Sequence, residues 1–350
     1  MSNDDILGGG RAVSAAGLAR LLGVSSAAVS YALNGRRGVS DELRRRILDA
    51  AVEHGMDIPA AALRPATQPV LGLVLADVGN PYYSEMAISV TDAARERGFE
   101  VFLSNSSDAP ESVAAAVDAM IHHGVDGVLI TALQAGNADV CRPLRAARIP
   151  FVQISRRMLS AEADFVGIDD LAAGAEVMDH VLDHGYTKVA VVGGPVSSSA
   201  SAHRADGFRR ALRVRGVDLP RAWNITGGLN EVDGARAARH LLDQPELPEV
   251  IVCGTDAIAL GVIAVLAGRG LQVPDDIAVT GFDGLTTART SLVDITTVVQ
   301  PRPRMAAEAV RLLHERQRTP NAPAQSIVLP HGLYIGKSCG CATRTEKIHV

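Results

Sequence analysis

From Val70 to Asp283 the chain repeats one pattern, a short β-branched apolar run followed by an amphipathic stretch and then another run. The runs fall at 70–77 (VLGLVLAD), 99–105 (FEVFLSN), 127–131 (GVLIT), 150–155 (PFVQIS), 189–194 (VAVVGG), 249–255 (EVIVCGT) and 277–283 (IAVTGFD). Strands of a parallel sheet are covered on both faces, so they read as unbroken apolar runs, and each parallel neighbour needs a crossover helix. The alternation therefore predicts an α/β fold. It occurs on both sides of residue 160, the first group ending near DFVGIDD at 164–170, which implies two similar doubly wound sub-domains facing a cleft. Ligands bind such sheets at the carboxyl ends of the strands, which singles out Asp77, Ser155, Gly193, Thr255, Asp256 and Asp283 by position.

The N-terminal stretch follows a different rule. In Leu18 to Ser40, LARLLGVSSAAVSYALNGRRGVS, Leu18, Ala19 and Leu22 recur at helical spacing and Gly23 breaks the helix. Ser25 is placed to cap a second helix running through Val29 and Leu33 to an Asn34-Gly35 stop. Two short helices around a glycine turn make a helix-turn-helix. With Val29, Ala32 and Leu33 inward, Ser26, Ala27, Ser30 and Tyr31 face outward where a recognition helix meets base edges. An ordinary helical hairpin in a small bundle has the same pattern. A third helix is signalled by Ser40 as cap, Asp41 and Glu42 in the first turn, Leu43, Ile47 and Ala51 on one face, and Gly55 as stop. Residues 11–64 hold eight Arg against five Asp or Glu, a net of +3 in a chain whose total is −5, so a mildly basic head sits on an acidic body. Arg36, Arg37 and Arg44 to Arg46 are the candidate phosphate contacts.

At 350 residues the chain has room for a head and a two-part body. The expected divisions are a disordered N-terminus at 1–10, the head at 11–56, a Pro- and Ala-rich linker at 57–69 with a short helical stretch at Ala60 to Arg64, the body at 70–340 and a tail at 341–350. The body divides into a first lobe of about 70–166 and 299–326 and a second of about 167–298 and 327–340. No apolar run approaches the length of a membrane span, and MSNDDILGGG is not a secretory leader, so a cytoplasmic location without membrane association is expected. Cys141 and Cys253 lie in apolar segments; Cys339 and Cys341 form a C-x-C pair in the tail. His180 and His184 lie at i, i+4 on one helical face, and His122-His123 form a second pair, but neither shows a third ligand at a regular offset, and a C-x-C without a neighbouring cluster is a poor metal site. No metal site and no cofactor is expected. An enzyme is disfavoured too, because G-x-G-x-x-G after the first strand, a phosphate loop and a nucleophile elbow are missing.

The order of these parts and several local words resemble the lactose-repressor/galactose-repressor (LacI/GalR) family of bacterial transcription regulators. The words are GVSSAAVSYALNG and GVS, GLVLADVGNPYYSEM, VGGPVSS followed by HRADGFRRAL, TDAIALGVIAVL, VPDDIAVTGFDG and DITTVVQP, spanning Val13 to Cys339. The resemblance implies a periplasmic-binding-protein-like body and a homodimer that binds a pseudo-palindromic double-stranded DNA operator, most simply as a repressor. It implies that Ser26, Ala27 and Tyr31 read the major groove, that Ser14 and Asn34 contact the backbone, and that Leu63 wedges into the minor groove. In the cleft, Tyr82 and Tyr83 match an aromatic pair lining the effector site, Arg204 matches an arginine that binds sugar hydroxyls or a corepressor, and Asp283 matches an acidic partner on the opposite lobe. Arg and Asp offer fixed donors and acceptors to a polyhydroxylated ligand, and a tyrosine ring covers an apolar sugar or base face; an ion pair between the lobes is the plainer use of the same two charges. The chain departs from the family at Ser155, usually Asp, at Thr255, usually Asn, and in a short linker where Pro65 would stop a helix at Arg64. The expected effector is a carbohydrate, with a purine or nucleoside as the second reading of the cleft. A solute-binding protein of a sugar transporter would share the body but not the head. Apolar faces at 82–97 (Met86, Val90, Ala93, Ala94) and 257–267 (Ile258, Val262, Val265, Leu266) are expected to contribute to the dimer or to the core.

Overall fold

The computed structural model describes residues 14–34, 39–58, 69–136, 138–341 and the strand at 345–348. The expectations for 1–10, the Gly35 stop, Arg36, Arg37, the linker helix, Leu63 and Pro65 lie outside the described residues. Three helices form the head: α1 (Ala15–Leu22), α2 (Ser26–Leu33) and α3 (Asp41–Glu53). Each starts on a serine whose side chain accepts a backbone N–H three residues on: Ser14 from Gly17, Ser25 from Ala28 and Ser40 from Leu43. Gly23 ends α1 at φ 68°, a left-handed conformation that glycine adopts without strain. The turn sets α1 and α2 at 117°, and Leu18, Val29, Ala32, Ile47 and Ala51 close a common core at 0% exposure. Leu33 is half-buried, not fully inward.

The body holds two sheets. The first lobe has β1 (Val70–Leu75), β2 (Glu100–Asn105), β3 (Gly127–Ile130), β4 (Phe151–Ile154), β5 (Asp164–Ile168) and β11 (Ser326–Leu329), in the order β11-β5-β4-β3-β1-β2 and all parallel. The second has β6 (Val189–Gly193), β7 (Asn224–Thr226), β8 (Val250–Cys253), β9 (Ala278–Asp283), β10 (Thr296–Val299), β12 (Gly332–Ile335) and β13 (Thr345–Ile348), in the order β13-β12-β10-β9-β8-β6-β7. Its first five strands are parallel and β12 and β13 are antiparallel. Crossovers are made by α4 (Pro81–Arg95), α5 (Pro110–His122) and α6 (Arg142–Ala146) in the first lobe and by α7 (Asp170–Asp183), α8 (Ser199–Val214), α9 (Glu231–Leu242) and α10 (Asp256–Gly268) in the second, while α11 (Arg302–Arg318) packs back on the first.

Three sequence expectations change and one open alternative is decided. The boundary drawn at 326/327 cuts through β11, which pairs along its whole length with β5, so the chain leaves the first lobe only after Leu329. Part of the supposed tail is β13, paired with β12. Met86, Val90, Ala94, Ile258, Val262 and Leu266 are wholly buried, Ala93 nearly so and Val265 partly, so these faces pack the lobes themselves and are not free for a partner. Arg44 is 4% exposed and is therefore no phosphate contact, whereas Arg45 and Arg46 are exposed.

Candidate effector cleft and nucleic-acid interface

In both sheets the strand order reverses beside the first strand, between β1 and β3 in one lobe and between β6 and β8 in the other, and a crevice opens at such a switch point. The loops leaving those strands meet between the lobes. Asn80 ends the loop after β1 and caps α4 by accepting from Tyr82 N, with Pro81 fixing the first helical residue. This turn buries Tyr82 and Tyr83, packed edge to face at 5.2 Å. Ser155 and Arg156 follow β4, Ser198 caps α8, Arg204 lies two turns into α8, Thr255 caps α10, and Asp283 ends β9. Ser155 at φ 63° and Asp283 at φ 113° hold left-handed backbone conformations that cost an L-residue strain.

All six expected cleft residues, Tyr82, Tyr83, Ser155, Arg204, Thr255 and Asp283, line one cavity, joined by Asn80, Arg156, Ser198, Ala200, Ser201 and Leu229. Asp77, Gly193 and Asp256 do not line it. Asp77 turns back to accept from Gly79 N, and Asp256 is fully buried with its carboxyl group accepting from Leu285 N at 2.6 Å. Arg204 and Asp283 stand on the same lobe, so the matched acidic group does not face the arginine across the cleft, and the ion pair is within a lobe. Arg204 Nε donates to Asp170 at 2.8 Å, and Nη1 to Asp283 at 3.1 Å and to Gly254 O at 2.9 Å; its guanidinium lies 3.8 Å from the Phe282 ring centroid. Two glycines make this possible. A Cβ on Gly174 of α7 would lie 2.6 Å from Arg204 O, and one on Gly207 of α8 would lie 2.2 Å from Leu171 O, so only bare backbones let α7 and α8 approach closely enough to pair Asp170 with Arg204.

Burial works against the charge on Arg204, but the carboxylates of Asp170 and Asp283 outweigh it and hold the guanidinium firmly protonated. For Asp283, burial exceeds the pull of Arg204 and Arg302 and pushes the carboxyl up to about 6, leaving it an anion at neutral pH. A second cluster, Arg156 with Asp108 and the Tyr83 hydroxyl, closes the first-lobe side.

The cleft is shut. Asn80 Nδ2 donates to Leu229 O at 2.8 Å, Ala135 N to Ser197 O at 2.8 Å and Arg157 N to Ser199 Oγ at 2.8 Å, each from one lobe to the other. Tyr82 Oη contacts Ser155 Oγ at 2.5 Å and donates to Gln300 Oε1 at 3.1 Å, while Gln300 Nε2 donates to Asp283 at 2.7 Å. Free space is ≈ 20 Å³, room for about one water, so a sugar-sized molecule enters only if the lobes part. An open concavity of ≈ 600 Å³ lies at the amino ends of β4 and β5, where Arg316 already pairs with Asp164, away from this chemistry. Sequence reasoning missed Arg156, Ser198, Gln300 and Arg302. Only Ser198, in the SSS run opening a helix, carried a local signal.

On the head, Ser26, Ala27, Ser30 and Tyr31 form the exposed face of α2. Ser14 and Ser25 stand at the N-termini of α1 and α2, where free N–H groups and the helix dipole favour a phosphate, and their hydroxyl protons remain available to donate. Asn34 folds back, Nδ2 donating to Ser30 O at 2.7 Å, so it closes the end of α2. Among the described residues, no single helix is long and apolar enough to cross a membrane.

The expectation of no third metal ligand is contradicted. The loop after β12 carries Cys339 and Cys341 to the C-terminal end of α7, and one ligand atom from each of His180, His184, Cys339 and Cys341 lies within 4.8 Å of the others. No regular offset signals it, because the two pairs lie in distant segments joined only by the fold.

The sequence matches the family described as periplasmic binding proteins and sugar binding domain of LacI family over residues 68–304, and bacterial regulatory proteins, lacI family, over 17–56. The chain belongs to the LacI family. Its LacI-family relatives include the HTH-type transcriptional regulator DegA of Bacillus subtilis, 30% identical over 325 residues that span 92% of this chain and 96% of the relative. The ribose operon repressor of Escherichia coli is 28% identical over 315 residues, 89% of this chain and 95% of the relative. A solved CelR–cellobiose complex superposes with a TM-score of 0.70 at 26% identity, covering 93% of this chain and 99% of that one. With a lacI-type head and a sugar-binding-type body in one chain, this LacI-family protein is a ligand-responsive transcriptional repressor, and the transporter solute-binding reading is not favoured.

Proposed function

We propose that this protein acts in the cytoplasm, without enzymatic activity, as a homodimer on a pseudo-palindromic operator, and that a small carbohydrate in the interlobe cleft controls it. The observation that carries the reading is the convergence of Arg204, Asp283, Tyr82, Tyr83, Ser155 and Thr255 on one interlobe cavity in a chain that also has an exposed recognition-helix face. Arg204 and Asp283 supply a donor and an acceptor to vicinal hydroxyls, and the tyrosines cover the apolar face of the ring. Thr255 is a positioning residue, its hydroxyl committed to capping α10. The closed cleft supplies the switch: an effector that fits the parted lobes better shifts the dimer's geometry by its differential affinity for the two arrangements. Ser26, Ala27, Ser30 and Tyr31 would meet base edges, Ser14, Ser25 and Asn34 the backbone, and Leu63 the minor groove, with Leu63→Ala expected to weaken operator binding. A dimer satisfies two half-sites, and exposed Ile88 on α4 with Phe102 and Leu103 on the edge strand β2 offers it an apolar surface.

A thermal-shift screen of sugars, sugar phosphates, nucleosides and purines, repeated on Arg204→Ala and Asp283→Ala, tests the reading. A carbohydrate hit lost in both variants is the expected result. A nucleoside or purine hit would move the effector to the second class, and a hit retained in both variants would remove the cleft from the account.

A further inference from the structure

The cluster at the end of α7 has the donors and spacing of a tetrahedral metal centre. His180 Nε2 lies 3.3 Å from Cys339 Sγ, and Cys341 Sγ lies 3.3 Å from His184 Nε2 and 3.7 Å from His180 Nε2. In a tetrahedron with Zn–S near 2.3 Å and Zn–N near 2.0–2.1 Å, the N···S edge comes to about 3.6 Å. The observed separations bracket that value. A sulfur–nitrogen hydrogen bond would need one pair. Here four ligand atoms converge, and Cys341 sits against both rings.

Each half of the cluster is held independently. The two histidines share one face of α7, at its C-terminal end, where the helix dipole favours a cation. The cysteine loop is tied to β9 and β10: Val279 N donates to Ser338 O at 2.8 Å, and Thr296 N to Ser338 Oγ at 2.9 Å. Gly340 takes φ 96°, and a Cβ there would lie 3.1 Å from Tyr186 Oη, so a glycine between the cysteines is what turns both sulfurs to one side. Outer partners orient the ligands, as metal sites require: Thr296 Oγ1 donates to Cys339 Sγ at 3.0 Å, Tyr186 Oη donates to Cys339 O at 3.1 Å, and the Tyr186 ring stacks on His184 at 5.7 Å.

We propose that His180, His184, Cys339 and Cys341 bind one Zn(II) ion per chain in a closed Cys₂His₂ site that fastens the C-terminal segment to α7. Two thiolates and two neutral imidazoles balance the ion's charge, the two thiol protons passing to solvent. All four positions are protein ligands, which marks a structural site, not a catalytic one. The site stands ten to fourteen residues along α7 from Asp170, about 15–21 Å at 1.5 Å per residue, so it is separate from the cleft.

Full-length, tag-free, reduced protein stripped with a chelator is titrated with Zn(II) against a chromophoric competitor and, separately, with Co(II). Expected are one equivalent of either ion, thiolate-to-cobalt charge-transfer bands with the visible bands of tetrahedral Co(II), and a Zn-dependent rise in Tm. Cys341→Ser and His184→Gln, at positions that are not buried, should keep the native circular dichroism while losing about 100-fold or more in affinity, the charge-transfer intensity and the Zn-dependent Tm shift. Absence of stoichiometric binding, or binding unchanged in both variants, would overturn the proposal and leave the four side chains as a hydrogen-bonded cluster.

Discussion

Replacing Arg204 by Met removes one guanidinium from between two buried carboxylates while keeping much of its aliphatic contact. The side chains of Arg204, Asp170 and Asp283 are 7%, 6% and 3% exposed, so solvent cannot take over the arginine's role. Breaking a buried pair from one side typically costs about 3–5 kcal/mol, and the orphaned Gly254 carbonyl acts in the same direction. The loss must depend on pH. Burial already raises both carboxyl pKa values, Asp283 to about 6, and without Arg204 they rise further. A raised carboxyl binds more protons in the folded than in the unfolded state, so stability falls as pH climbs from about 4 to the folded pKa, by at most about 1.4 kcal/mol per unit and group. The penalty should therefore be largest at pH 8 and clearly smaller at pH 5. Arg204→Met/Asp170→Asn/Asp283→Asn, which leaves no unpaired charge, should recover most of it. Trp223, the sole tryptophan and buried in the second lobe, reports the transition in urea. A single variant within about 1 kcal/mol of wild type at pH 8, or a triple variant no better than the single, would refute the reasoning.

Asp256 provides a second pH test, since burial pushes it up to about 8 and it is protonated at neutral pH; Asp256→Asn should flatten the decline of urea midpoint between pH 6 and pH 8 relative to wild type. Gly207→Ala should lower Tm and weaken any effector that needs Arg204, because its methyl would meet Leu171 O at 2.2 Å and drive α7 from α8; a destabilisation of about 1–3 kcal/mol or more is expected by thermal melting. Val29→Asp puts a charge into the head core and should abolish operator binding while leaving the effector-induced Tm shift of the body intact. Tyr31→Ala should weaken operator binding in an anisotropy titration with no change in Tm, as its side chain is exposed.

What the sequence disclosed follows from how local each signal is. Ser25, Ser40, Gly23 and Gly55 act within one helical turn, and α2 and α3 start, and α1 and α3 stop, where those residues predict. β1, β4 and β9 are buried along their whole length because both faces are covered, and their mostly apolar sequences show it. β7, β11 and β13 are short, and β7 and β11 alternate exposed with partly buried side chains, so only pairing with a neighbour defines them, and the division of the lobes and the tail came out wrong there. Cleft residues at strand ends were readable by the same rule. Gln300 and Arg302 were not, since they reach Tyr82 and Glu85 from a crossover more than 200 residues away in sequence. The metal ligands failed for that reason too: each pair looks incomplete until α7 and the β12 loop meet.

The most direct test of a ligand-responsive repressor is selection of genomic DNA fragments by the full chain, followed by anisotropy on the recovered site with and without the effector from the thermal screen. The expected result is a pseudo-palindromic site bound by wild type but not by Val29→Asp, with affinity falling about 10³–10⁵-fold between 50 and 200 mM salt for six to ten phosphate contacts and changing again when effector is added. Recovery of no symmetric site, or operator affinity indifferent to every ligand that stabilises the body, would contradict it.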